Sequence, residues 1–260
     1  MNTVAPRHVR TLIRLALAGC YTEDGERVSN ITEWGLKRVN DHYRKEFGRH
    51  FEEMAGGDSI SAEDIFAYTY AVLHDPVYRY DYKNDLLREF PRLPLYHDFA
   101  YWREMGRELL DLHIGFESAD PYPLERVDKS PPSQPSPIKG KGAITPRVML
   151  RANKQDKERG EIQIDSETKL VGVPESAWRY MLGNRSALEW VLDQYKEKKP
   201  RDPTIRERFN TYRFADYKEE VIELLRRVCA VSYRTAEIVD GMAYWMDGKL
   251  VVSGDRDKHE

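Results

Sequence analysis

Six prolines, at positions 121, 123, 131, 132, 135 and 137, crowd the stretch from Ser118 to Gly142 among Ser, Gly and Lys residues, and the hydrophobic pattern differs on its two sides. Proline fixes φ and donates no backbone hydrogen bond, so such a stretch reads as a linker or long loop with little regular structure. Ahead of it apolar residues recur at helical spacing; behind it they alternate, as strands require. A chain that changes period in this way is α+β: a helical scaffold, a small antiparallel sheet subdomain and C-terminal helices.

The segments divide as follows. Residues 1–29 hold one short apolar helix candidate and the turn signal Thr22-Glu23-Asp24-Gly25, and read as an N-terminal segment left from a preceding domain. Residues 30–117 are the helical part, 118–142 the proline-rich linker, 143–250 the sheet-plus-helix part and 251–260 a polar tail. In the helical part Thr32 is placed to cap a helix running through Tyr43, and Ser61 with Asp64 three residues on resembles a capping box opening a helix through Leu73. Pro76 stops that helix. The residues from Tyr78 to Phe90 favour a further helix over a strand. A helix over Phe99–Leu112 puts Trp102, Met105, Leu109 and Leu112 on one side, and Arg103 with Arg107 on what reads as a solvated face.

Past the linker, Val148 and Leu150 alternate with Met149 and Arg151, Ile162 and Ile164 flank Gln163, and Leu170–Val173 follows. Gln155–Gly160 reads as the turn of a hairpin. Helices are expected at Ser176–Met181, Ala187–Tyr195 and Tyr217–Val239, with Trp178 and Trp190 as core anchors.

A hydrophobic content of 40% supplies a core, while 33% charged residues and a mean hydropathy of −0.71 leave no run near the ~20 apolar residues that a membrane helix needs. With no secretory signal pattern either, a cytoplasmic location is expected. Two cysteines, Cys20 and Cys229, and seven scattered histidines form no metal-ligand spacing, so no metal is expected. The net charge of −3 is unlike that of an isolated nucleic-acid binder. Its distribution is uneven, however: residues 138–208 carry sixteen Lys or Arg against eleven Asp or Glu, a local +5, and the remainder is at −8. Such a chain can turn one positive face to phosphates and other faces to partner domains.

Catalytic signatures are missing. Asp75-Pro76-Val77-Tyr78 approaches the tetrapeptide of an amino-methyltransferase but lacks its second proline, follows a helix and has no glycine-rich cofactor loop to accompany it. Its alternative reading is a helix stop with Tyr78 packed on the core. Glu167-Thr168-Lys169 fits half of a metal-nuclease motif without an upstream aspartate on a strand, and no phosphate-binding Gly-x-x-x-x-Gly-Lys-Ser/Thr loop exists.

The block from Ala71 to Gly115, with AVLHDPVY, EFPRLPL and FAYWREMGRELLDLHIG, resembles the C-terminal target-recognition domain of type ISP restriction-modification enzymes, and more loosely the single-chain type IIG enzymes. The resemblance runs from Asn30-Ile31-Thr32-Glu33-Trp34 through Ile65-Phe66-Ala67-Tyr68 to Gly172-Val173-Pro174-Glu175-Ser176-Ala177-Trp178 and Leu188-Glu189-Trp190-Val191-Leu192, reaching about Val231. It implies a bacterial, non-catalytic specificity module. Such a module would read double-stranded DNA for methyltransferase, translocase and nuclease domains in cis or in trans. It implies no cofactor in this chain, with S-adenosylmethionine, ATP and Mg serving those partner domains. Two other readings stand beside it: a protein-docking fragment of the same enzyme, and a methyltransferase remnant.

For DNA binding the sheet region supplies the side chains. Arg147, Arg151, Asn153, Lys154, Lys157 and Arg159 lie on or beside one expected hairpin, and a two-stranded ribbon fits the major groove. Arginine bridges two guanine acceptors and asparagine pairs with adenine, whereas lysine mainly neutralises phosphate. Arg151 and Asn153 are therefore the candidate base readers. Lys139 and Lys141, each beside a glycine, are candidate phosphate contacts. Asn184 and Arg185 follow Gly183, expected as a helix-terminal glycine that exposes them.

Overall fold

The computed structural model describes residues 20–21, 27–29, 31–129, 146–197, 212–246 and 249–252. The N-terminal helix candidate, the Thr22–Gly25 turn, Lys139 and Lys141 lie outside the described residues. The chain divides into two units, residues 1–115 with 238–260, and residues 116–237. The protein is α+β.

The first unit opens with the short antiparallel pair β1 (Cys20–Tyr21) and β2 (Arg27–Val28). Helix α1 (Glu33–Phe47) starts where Thr32 Oγ1 accepts from Gly35 N, as its sequence position predicts. A short α2 (Phe51–Ala55) follows, then α3 (Ala62–Val72), whose Ser61 and Asp64 form the expected capping box. Asp75, fully buried, caps α4 (Pro76–Asp81) by accepting from the backbone of Val77 and Tyr78. The sequence Asp75-Pro76-Val77-Tyr78 thus starts a helix where a helix stop was expected, and Tyr78 packs in the core as expected. Helix α4 ends at Asp81, short of the helix expected to reach Phe90.

Helix α5 (Phe99–Ile114) lies against α3 at Gly106, where an added Cβ would fall 1.8 Å from the carbonyl oxygen of Ala67. The segment between α4 and α5 is held by tyrosines. Tyr78 Oη donates to Arg92 O, Tyr68 Oη to Pro94 O and Tyr43 Oη to Tyr96 O, while Tyr96 N donates back to Tyr68 Oη. Proline leaves this strap short of ladder donors, so its carbonyls find hydroxyls instead. Burial pushes the Tyr68 phenol up to about 12. Arg103 is buried, donating to Ala55 O at 2.6 Å, which corrects its assignment to a solvated face. Arg107, half-exposed, reaches Asp64 Oδ1.

The second unit is built on one sheet. Strand β3 (Glu125–Asp128) lies inside the stretch expected to lack regular structure; β4 (Val148–Arg151) follows. The Gln155–Gly160 turn of the sequence reading is instead a short helix, α6 (Lys154–Glu158), which leads into β5 (Glu161–Asp165) and β6 (Thr168–Val171). The sheet order is β3-β6-β5-β4, all antiparallel, so β4 is an edge. Residues 175–178 form a 3-10 turn in place of the expected helix, followed by the hairpin β7 (Met181–Leu182) and β8 (Arg185–Ser186). Helix α7 (Ala187–Gln194) and the long α8 (Lys218–Asp240) complete the unit. Leu150, Ile162, Ile164 and Leu170 form one core with Leu188 and Val191 of α7 and Val221, Leu225 and Cys229 of α8. Trp178 and Trp190 pack on it, half-buried, as the sequence predicts. The hairpin β9 (Ala243–Met246) and β10 (Lys249–Val252) follows α8.

Candidate nucleic-acid interface

The sheet has a second face, opposite the core that it shares with α7 and α8. In an antiparallel pair, partner residues share a face, and the register Ile162↔Leu170 puts the core on one side and Gln163↔Lys169 on the other. Arg151 is the partner of Gln163 and joins this outer face from the edge strand.

The cations gathered here fall into two groups. Arg159 lies 3.5 Å from Asp156 and 3.7 Å from Glu161, Lys169 is 2.7 Å from Glu161, and Lys157 is 2.5 Å from Glu189 of α7 while lying over the Trp178 ring. Burial would raise the Glu189 carboxyl, but hydrogen bonds from Lys157 and Ser186 outweigh it and hold it below the usual range. Arg185 pairs with Asp193 at 2.7 Å, a bond that lowers the aspartate's pKa. These cations are already neutralised locally. Arg147, Arg151 and Lys154, all exposed, form no ion pair and no side-chain hydrogen bond among the described residues. Their charge is open to an outside anion.

Asn153 is also exposed, yet its side chain is engaged. It is the N-cap of α6, its Oδ1 accepting from Asp156 N at 2.9 Å while Asp156 Oδ2 accepts from Asn153 N. The Asn153–Asp156 spacing is the same capping signature that locates α3. Asn184 and Arg185 do not follow a helix-terminal glycine; Gly183, at φ 70, and Asn184 are the two central residues of the β7–β8 hairpin. Asn184 remains exposed at that tip.

In Glu167-Thr168-Lys169, Thr168 Oγ1 donates to Asp128, and the Lys218 ammonium lies 2.8 Å from Asp165 and 2.6 Å from Thr168. An ammonium of the protein thus already neutralises the buried carboxylate. Among the described residues no cluster of three His, Cys, Asp or Glu side chains is arranged to hold a metal ion, and no helix is long and apolar enough to cross a membrane.

Residues 5–224 match the model of the type ISP C-terminal specificity domain. Among solved structures, the chain is similar to one in the cryo-EM structure of the DrdV–DNA complex, at 49% identity and a TM-score of 0.73, covering 85% of this chain and 21% of that one. It is also similar to a nuclease-deletion mutant of the type ISP restriction-modification enzyme LlaGI in complex with a DNA substrate mimic, at 28% identity and a TM-score of 0.54, over 73% of this chain and 17% of that one. The chain therefore spans about a fifth of these larger proteins. A search of curated proteins returns no match.

Proposed function

The chain belongs to the type ISP C-terminal specificity domain family, and from that premise we propose that it reads double-stranded DNA in a sequence-specific manner and performs no chemistry itself. The observation that carries this reading is the set of unneutralised cations, Arg147, Arg151 and Lys154, along the β4 edge and the start of α6. Unpaired cations on an exposed edge attract phosphate, and a strand edge with a short helix fits within the major groove. In this reading Arg151 faces a base, and Arg147, Lys154 and Asn184 position the module on the backbone. Arg159 and Arg185 orient neighbouring elements through their ion pairs and reach DNA only by exchanging a carboxylate for a phosphate. Methylation, translocation and cleavage, with S-adenosylmethionine, ATP and Mg, belong to partner domains of a cytoplasmic restriction-modification system.

A second reading, docking onto another protein domain, is favoured by the exposure of Leu87 and Phe90 in the first unit. Retention of random duplexes by the purified chain at two salt concentrations, followed by sequencing, separates the two. A salt-sensitive, asymmetric motif is the expected result. A chain that retains no duplex at low salt has lost the first reading and fits the second.

A further inference from the structure

Directly across the sheet from Arg151 stands Gln163. The pairing around them is irregular. Val148 faces Asp165 and Arg151 faces Gln163, so β4 uses one more residue than β5 over the same interval, a bulge at the sheet edge. Within it Leu150 adopts φ 38, the one positive value among the described non-glycine residues, and its side chain is fully buried. A left-handed leucine is disfavoured and persists only where its surroundings fix it. Here the core holds Leu150, and the bulge sets the exposed Arg151 opposite Gln163.

The Gln163 amide has a defined orientation. Its Nε2 lies 3.3 Å from Asp156 Oδ1 and 3.3 Å from Glu161 Oε2. Ionised carboxylates only accept, so the amino end must face them and the carbonyl end must turn away. Gln163 Oε1 receives no hydrogen bond among the described residues. Gln163 lines a surface depression of about 210 Å³ together with Met149 and Lys169, which leaves room for an incoming group. Asn153 offers less, because its Oδ1 already accepts from Asp156 N.

Resting on the duplex-reading function proposed above, we infer that Arg151 and Gln163 form one donor–acceptor reading pair in the major groove. The guanidinium donates to guanine O6 and N7, and Gln163 Oε1 accepts from an exocyclic amino group beside it, either N4 of cytosine or N6 of adenine. Gln163 is then a specificity-determining residue, and its carboxylate neighbours Asp156 and Glu161 are positioning residues.

The test is random-duplex selection with the full chain and its Arg151→Ala, Gln163→Met and Gln163→Lys variants, each first checked by thermal melting. Arg151→Ala is expected to erase the preference for one guanine. Gln163→Met should erase the preference for an amino-bearing base at the adjacent base pair, weakening the selected duplex by about 5- to 150-fold. The base lost, cytosine or adenine, identifies the amino group. Gln163→Lys keeps a donor toward both carboxylates, so the fold is retained, and it should exchange the amino-bearing base for a keto-bearing one, guanine or thymine. If the wild-type motif survives unchanged in both Gln163 variants, this inference is overturned while duplex reading stands. A wild-type chain that selects no motif overturns both.

Discussion

Gly106 matters for what it lacks. Helices α3 and α5 approach so closely that a methyl group at this position would meet the backbone oxygen of Ala67. Gly106→Ala is expected to destabilise the protein by about 3 kcal/mol, read by urea denaturation, since overpacking must separate two helices. Ala67→Gly should not rescue it, because the obstructing atom is backbone. Lys218 presents the opposite case, a side chain whose loss would strand a partner. Burial works against ionised Asp165, but hydrogen bonds from Lys218 and from the backbone of Glu167 and Thr168 prevail and depress its pKa. Lys218→Met is expected to cost about 3 kcal/mol by leaving a buried carboxylate unpaired, and a further Asp165→Asn change should recover part of the loss in the same denaturation experiment. Neither effect is visible in the sequence, where Gly106 interrupts a helix and Lys218 is one charge in a charged run.

Local signals located several elements well. Thr32 and Ser61 each cap a helix where their position implies one, because capping involves residues only three apart. The same rule applied to Asn153 and Asp156 would have found α6; reading Asn153 as a base contact concealed a cap behind a plausible function. Its replacement separates the two roles. Asn153→Ala should lower stability by about 1 kcal/mol in thermal denaturation and leave the selected DNA motif unchanged. Lys154→Ala should leave stability as it is, weaken binding to all duplexes alike and reduce the slope of log affinity against log salt by about 1. Equal shifts of stability in the two variants would contradict this assignment. Strand β3 was hidden for a different reason: four residues, Glu125–Asp128, with mostly charged side chains carry no alternation, and only pairing with β6 makes them a strand.

The two units differ in how they meet acid. In the first, the His113 ring is buried close to His74 and bonded to Tyr70, and burial, followed by the His74 charge, pushes its pKa from 6.5 to about 3. His74 is lowered as well, chiefly by burial. Below pH 6.5 the unfolded chain takes up protons that the folded chain refuses, so stability falls as pH drops toward 3 and is unaffected above 6.5. In the second unit Asp165, Glu189 and Asp193 have depressed values, so their contribution is full above the ordinary carboxylate range and is lost only below it. Calorimetry between pH 7 and pH 5 should therefore show the first unit losing Tm before the second, and His113→Leu should flatten that loss; a pH-independent Tm in the wild type would refute the account. At the scale of the whole chain, the sequence by itself determined the α+β class, the change from helical to extended pattern and the positions of the caps, since each depends on residues within one or two turns of one another. Only the tertiary structure decided which cations stay open, because the carboxylates that neutralise them come from other elements. Glu189 of α7 takes Lys157, Asp193 of α7 takes Arg185 of β8, and Arg151 stands at the sheet edge with no ion pair among the described residues.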